Sequence, residues 1–266
     1  MKIIDAYIYF AKMKLMTSVV YRFEFFASII ASGMVMFSTV FMWRTVYHAV
    51  TVVDGFNVDQ MITYSILSTI LGMVFNVTVE DAIYERVMQG DIAIDFIRPT
   101  NMILCYLAED IGSSTGILLT RCAPMLLFIS IFFYVPTPAN GVAFLLFIIS
   151  TVLSFSIIWI MDAIIGVMHI KMGDLGSLAF AKDCIVLLLS GSIIPIWFLP
   201  EKIRLVLSFL PFQYTYQTPL GIYIGKYMPY EALSAMLVQC IWICILLYVL
   251  IAVWEKTSKN VLAQGG

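Results

Sequence analysis

Apolar residues along this chain gather into six long stretches divided by shorter polar segments. They cover approximately residues 25–43, 61–79, 112–134, 142–165, 178–198 and 232–254, each at or near the roughly 20 residues that carry a helix across a bilayer. The segments between them have patterns of their own. Ahead of the first stretch, Ile4, Tyr7, Ile8, Ala11, Leu15 and Val19 recur at helical spacing, with Lys12 and Lys14 off that stripe. Such a helix lies in the membrane interface rather than across it, and simple anchoring is the plainer use for it. Between the second and third stretches, Glu80 and Asp81 suit a helix N-terminus, Ile83, Tyr84, Val87 and Met88 share one face, and Gly90 can end the helix. Ile92, Ile94 and Phe96 follow, and Arg98-Pro99 makes a break. Apolar residues on so short a helix need a covering surface, either the bundle, which the pattern slightly favours, or a soluble subunit.

The segment between the fifth and sixth stretches is broken by Pro200, Pro211, Pro219, Pro229, Gly221 and Gly225, yet it stays apolar, with Leu205, Phe209, Phe212, Tyr214, Tyr216 and Tyr223 among others. A solvated loop has no use for that content. Two short helices dipping back into the outer leaflet reconcile the breakers with the apolar residues, because irregular backbone is tolerated at depth only where protein covers it. A loop lying on the outer surface with its aromatics at headgroup level is the alternative.

Composition agrees with the pattern. Of 266 residues, 62% are hydrophobic and 12% charged, against about 45–50% and about 25% in soluble domains, so the apolar residues exceed any core the chain could enclose. A net charge of −2 offers no basic field for nucleic acid. Positive charge clusters in the N-terminal segment (Lys2, Lys12, Lys14, Arg22), the second connection (Arg86, Arg98), the fourth (Lys171, Lys182) and the tail (Lys256, Lys259). The first and third connections, His48–Gln60 and Val135–Gly141, carry none, and only the fifth breaks the rule with Lys202, Arg204 and Lys226. Cytoplasmic flanks hold the excess of Lys and Arg, so both termini are expected in the cytoplasm. The first stretch lies too deep and runs too long for a signal peptide, and no removed targeting segment is expected.

Charges inside or beside the stretches are the candidate functional groups: Arg44, Glu109, Asp110, Arg121, Asp162 and Asp183. Arg44 and Asp183 sit near span ends and can reach headgroups. Arg121 and Asp162 lie deeper, and form either a buried interhelical pair or part of a passage. Asn76, Thr78, Ser113, Ser114 and Thr115 suit hydrogen bonds between packed helices. The five cysteines give no disulfide framework, and Cys240 with Cys244, one turn apart, have no His or acidic residue in their segment to complete a metal site. The chain has no phosphate-binding G-x-x-x-x-G-K-[S/T], no H-E-x-x-H and no G-x-S-x-G, and His48 and His169 alone make no histidine cluster. Catalysis, ATP binding and a metal or cofactor in this chain are not expected.

Taken together, the order of parts resembles the membrane subunit of ABC-2-type exporters. The carriers are the interfacial helix ending Tyr21-Arg22, the short helix with Gly90-Asp91-Ile92 leading to Ile97-Arg98-Pro99, the segment from Leu199-Pro200 through Leu210-Pro211-Phe212 to Pro219 and Gly225, and the tail from Trp254 to Gly265-Gly266. The resemblance implies an all-α membrane protein with six transmembrane helices, residues 1–266 forming one domain. It further implies an N-terminal elbow helix over residues 2–21 and a re-entrant extracytoplasmic helical hairpin between spans 5 and 6, marked by Pro200, Pro211, Phe212, Pro219 and Gly225. It makes Glu80–Gly90 a coupling helix that meets a separate ATPase through Ile83, Tyr84, Val87 and Met88. ATP and Mg are then expected on two copies of that ATPase, in a bacterial plasma membrane, with a second permease half as homo- or heterodimer. Small residues at Ala27, Ser28, Ala31, Ser32 and Gly33, and at Ser190, Gly191 and Ser192, point to the first and fifth spans as the contact between halves. The cargo expected is apolar or amphipathic: a drug, peptide, lipid or bacteriocin-like molecule. A proton-driven carrier using Asp162, Glu109 and Asp110 as a relay is the alternative, and a lipid-modifying enzyme is a third class disfavoured by the two isolated histidines.

Overall fold

In a computed structural model, residues 3–264 are described apart from 21, 49–51, 54, 98–99, 133–136 and 139. Lys2, Tyr21, the Arg98-Pro99 break and the Gly265-Gly266 end lie outside the described residues, as do the side chains of Val19, Arg22, Ser28 and Lys259. The helices are α1 (Ile3–Val20), α2 (Arg22–Val46), α3 (Val58–Val74), α4 (Val79–Gln89), α5 (Ile92–Ile97) and α6 (Met102–Ile117). A π-helical turn (Leu118–Cys122) joins α6 to α7 (Ala123–Phe132), and α8 (Gly141–Met172), α9 (Gly176–Leu189), α10 (Glu201–Ser208), α11 (Gln217–Tyr223) and α12 (Pro229–Gln264) follow. A two-residue hairpin, Val52–Val53 against Phe56–Asn57, is the one sheet among the described residues, and Gly55 at φ +83° makes its turn.

Five segments among the described residues are long and apolar enough to cross a membrane: Ile29–Val46, Val58–Gln89, Met102–Ser130, Gly141–Met172 and Pro229–Ser258. The chain is thus a multi-pass, all-α membrane protein. The stretch 178–198 differs from expectation, because α9 stops after 14 residues, about 21 Å at 1.5 Å per residue. Gly191 at φ +83° turns the backbone there, Pro195 follows, and Ile196–Phe198 make a single 3-10 turn. Elsewhere the helices overrun their apolar stretches, α8 reaching Met172 and α12 Gln264, since a helix ends at its caps and not at the edge of its hydrophobic residues.

Helix α3 occupies the centre. Every residue from Met61 to Ser68 is buried, which is why its apolar residues show no single stripe. Met36, Val40 and Trp43 of α2, Met125 and Ile129 of α7, Ile157 and Met161 of α8, and Trp197 and Leu220 surround it. Its start carries a reciprocal cap: Asn57 accepts from the Gln60 N–H at 2.9 Å, and Gln60 accepts from the Asn57 N–H at 3.1 Å. Its end is tied to α6 by the Ser114 hydroxyl donating to the Val74 carbonyl at 2.8 Å. Helix α1 lies along α6, where an added Cβ at Gly112 would collide with the Ala11 backbone, and Lys14 pairs with Glu109 at 3.4 Å. Its Ile4, Ile8, Tyr9 and Met16 remain exposed, leaving α1 apolar on its outer side as well.

Candidate functional site

Two groups of features stand out: a platform of short helices at the end of the bundle near α1, and two cavities alongside α3. The platform begins at Thr78, the residue before α4. Both oxygens of buried Asp110 are occupied there. One accepts from the Thr78 N–H at 3.0 Å and the Thr78 hydroxyl at 2.7 Å, the other from the Trp159 indole at 3.0 Å. One carboxylate thereby joins the start of α4 to α6 and α8.

Helix α4 then packs on α8. Ile83 is fully buried with Val79 against Trp159, Ile160, Ala163 and Val167. The approach is close because Gly166 has no side chain; a Cβ there would lie 3.0 Å from Ile83 Cδ1 and 3.2 Å from the Glu80 Cα. Glu80 faces buried His169 Nε2 at 3.0 Å, the Leu175 N–H donates to His169 Nδ1 at 3.1 Å, and Tyr84 lies against the imidazole at 4.9 Å. Gly90 at φ +78° closes α4, as only a residue without Cβ does cheaply. The Arg86 guanidinium then grips buried Asp95 of α5 with two bonds, 2.8 and 2.7 Å, and Tyr106 donates to the same carboxylate at 3.2 Å. Phe96 of α5 stacks flat on Trp254 of α12, centroids 5.4 Å apart.

Ile83, Tyr84 and Val87 pack toward the bundle, the covering surface that the pattern slightly favours, with Ile83 buried and Tyr84 and Val87 half-buried. Met88 is exposed, with Asp81, Glu85 and Gln89 beside it.

The first cavity, about 460 Å³, runs from Glu80, Asp81 and Gly176 to Ser192 and Tyr216. Lys182 projects into it, paired with Asp162 and, at 2.7 Å, with Asp183. Asp162 and Arg121 therefore do not pair with each other. The second cavity, about 390 Å³, lies between α2, α3 and the π-helical turn, with Arg121 in its wall. Glu109, Asp110 and Asp162 each have separate partners, Lys14, Thr78 with Trp159, and Lys182.

A family model described as ABC-2 family transporter protein matches residues 34–265. The chain belongs to the ABC-2 family of transporters. Neither a curated protein nor a solved structure matches it. Membership supports an ABC transporter permease: the family is the membrane component of such transporters, not itself the ATPase, and implies an ABC ATPase subunit as partner.

In this ABC-2 permease the far end is built from α10, α11 and the turns around them. Pro200 is exposed before α10, Pro211 is buried ahead of Phe212, Pro219 is buried inside α11, and Gly225 takes φ +77° after it. Tyr64 donates to the Gly191 carbonyl at 2.6 Å, and Gln217 Oε1 accepts from the Ile196 N–H at 3.0 Å. Fully buried Gln239 of α12 donates to the Tyr214 carbonyl at 2.8 Å and accepts from Ser150 at 3.0 Å. Ser190 and Gly191 are buried within these bonds, Ser192 is half-buried, and Ala27 and Ala31 of α2 remain exposed. Gly166, Gln239 and the Asp95–Tyr106 contact escaped the sequence pattern. Pro124 was the legible sign of the π-helical turn: it has no N–H for the carbonyl four residues back, and the widened turn, closed by the Ala123 N–H on Leu118, precedes it.

Proposed function

We propose that this permease is half of an ATP-driven exporter, paired with a second permease half and served by two copies of an ABC ATPase. The observation carrying the reading is the platform: a short helix joined to the most buried span, braced on α6 and α8, with a polar edge facing outward. In this reading α4 is the coupling helix and its contact edge is Asp81, Glu85, Met88 and Gln89. Ile83, Tyr84 and Val87 transmit motion inward by their packing on α8. Helix α1 is the elbow, α9 with its following turns serves as the sixth membrane-embedded element, and α10–α11 form the re-entrant hairpin. Both termini then lie on the cytoplasmic side of a bacterial plasma membrane, and the cargo is apolar or amphipathic.

The test is co-purification with an ATPase, followed by ATP hydrolysis measurements on the complex. Glu85→Lys and Met88→Asp are expected to weaken ATPase retention by about tenfold or more while the permease still folds, since both residues are exposed. Retention and hydrolysis at wild-type levels in both variants would contradict the assignment of that edge.

A further inference from the structure

The Arg121 guanidinium has no counter-charge among the described residues. It stands on the π-helical turn within the Met102–Ser130 span, and its buried Nε has no hydrogen-bond partner. A cation inside a membrane segment is costly unless paired, and a π-helical turn often marks a functional position. Its described surroundings give it room. The adjoining cavity of about 390 Å³ is lined by Ser32, Val35, Thr69, Met73 and Asn76 as well as Arg121, and among the described residues no Asp or Glu contributes to its wall. The contrast with the first cavity is chemical: Lys182 there is matched by Asp162 and Asp183.

We propose that the second cavity binds the acid group of an amphiphile, a carboxylate or phosphate on an apolar tail, with Arg121 as its ion partner. Arg121 supplies planar, permanently charged donors suited to such oxygens. The Asn76 amide adds two more, and Val35 and Met73 receive the start of the tail. Thr69 already donates its hydroxyl to the Ser65 carbonyl at 3.0 Å, so it supplies shape and not a donor. That the occupant is cargo rests on the transport reading above; that the site takes an anion does not.

The experiment uses the full chain in phosphatidylcholine nanodiscs, titrated with dansylaminoundecanoic acid and, separately, its methyl ester. The acid is expected to bind saturably and at least about tenfold tighter than the ester. Arg121→Ala should abolish that preference, and Arg121→Lys should keep part of it. Ala31→Phe, which narrows the cavity without touching the charge, should weaken the acid in a variant whose membrane insertion does not depend on position 121. Equal binding of acid and ester by the wild-type chain, or undiminished acid preference in Arg121→Ala, overturns the proposal. Displacement of the acid by phosphatidylglycerol assigns the site to a lipid phosphate. No displacement, with the acid accelerating ATP hydrolysis by the permease–ATPase complex, assigns it to cargo. A complex that lacks any stimulation yet retains acid-selective binding counts against the transport reading alone.

Discussion

Asp110 satisfies three donors from a buried position, so Asp110→Ala strands the Thr78 N–H, the Thr78 hydroxyl and the Trp159 indole at once. Each buried donor left without an acceptor costs about 1–3 kcal/mol, and thermal unfolding in detergent should fall well below wild type. Trp159→Phe removes one donor together with its need, and should cost less than Asp110→Ala. An unchanged melting temperature for Asp110→Ala would show the tie to be dispensable. Gly191 makes a second residue-scale case. Its φ of +83° is left-handed, and a Cβ would sit 2.6 Å from Gln217 Oε1. Gly191→Ala should therefore lose about 1–2 kcal/mol for the backbone alone, and more for the displaced glutamine, read from the same unfolding curves.

At the scale of elements, the sequence disclosed helices far better than their neighbours. Glu80, Asp81 and Gly90 mark both ends of α4 by local chemistry, and local chemistry is present in the chain itself. Which side of α4 faces the bundle depends on Gly166, 76 positions beyond Gly90, and no local pattern carries that. The same holds for Asp162, whose partner Lys182 lies on the next helix and not across the bundle at Arg121. The stretch 178–198 is not one continuous helix for a different reason: apolar content continues through residue 198, but α9 ends at Leu189, before Ser190-Gly191 and Pro195, and hydropathy is blind to that. Gly166→Leu should push α4 away from α8, lowering coupled ATP hydrolysis several-fold while leaving the spans inserted, whereas Gly141→Leu, with nothing within 4 Å of its Cβ position, should not. Equal effects from the two would remove the close α4–α8 approach from the account.

For the whole molecule, the platform is fastened to three spans: to α6 through Asp110, to α8 through Ile83 and Gly166, and to α12 through Phe96 on Trp254. In the coupling reading a push on α4 reaches the first cavity directly and through α8, since Glu80 and Asp81 of α4 and Ile158 and Asp162 of α8 line it. That continuity is what an ABC permease requires if ATP closure in a partner is to change access to a path through the membrane. The most direct test places a photo-crosslinking residue, in separate chains, at Met88 and at Ile83 within the membrane complex. A crosslink to the ATPase is expected from position 88, none to it from position 83, and an internal crosslink from 83 to α8. A crosslink to the ATPase from 83 and not from 88, or from neither, would contradict the coupling reading.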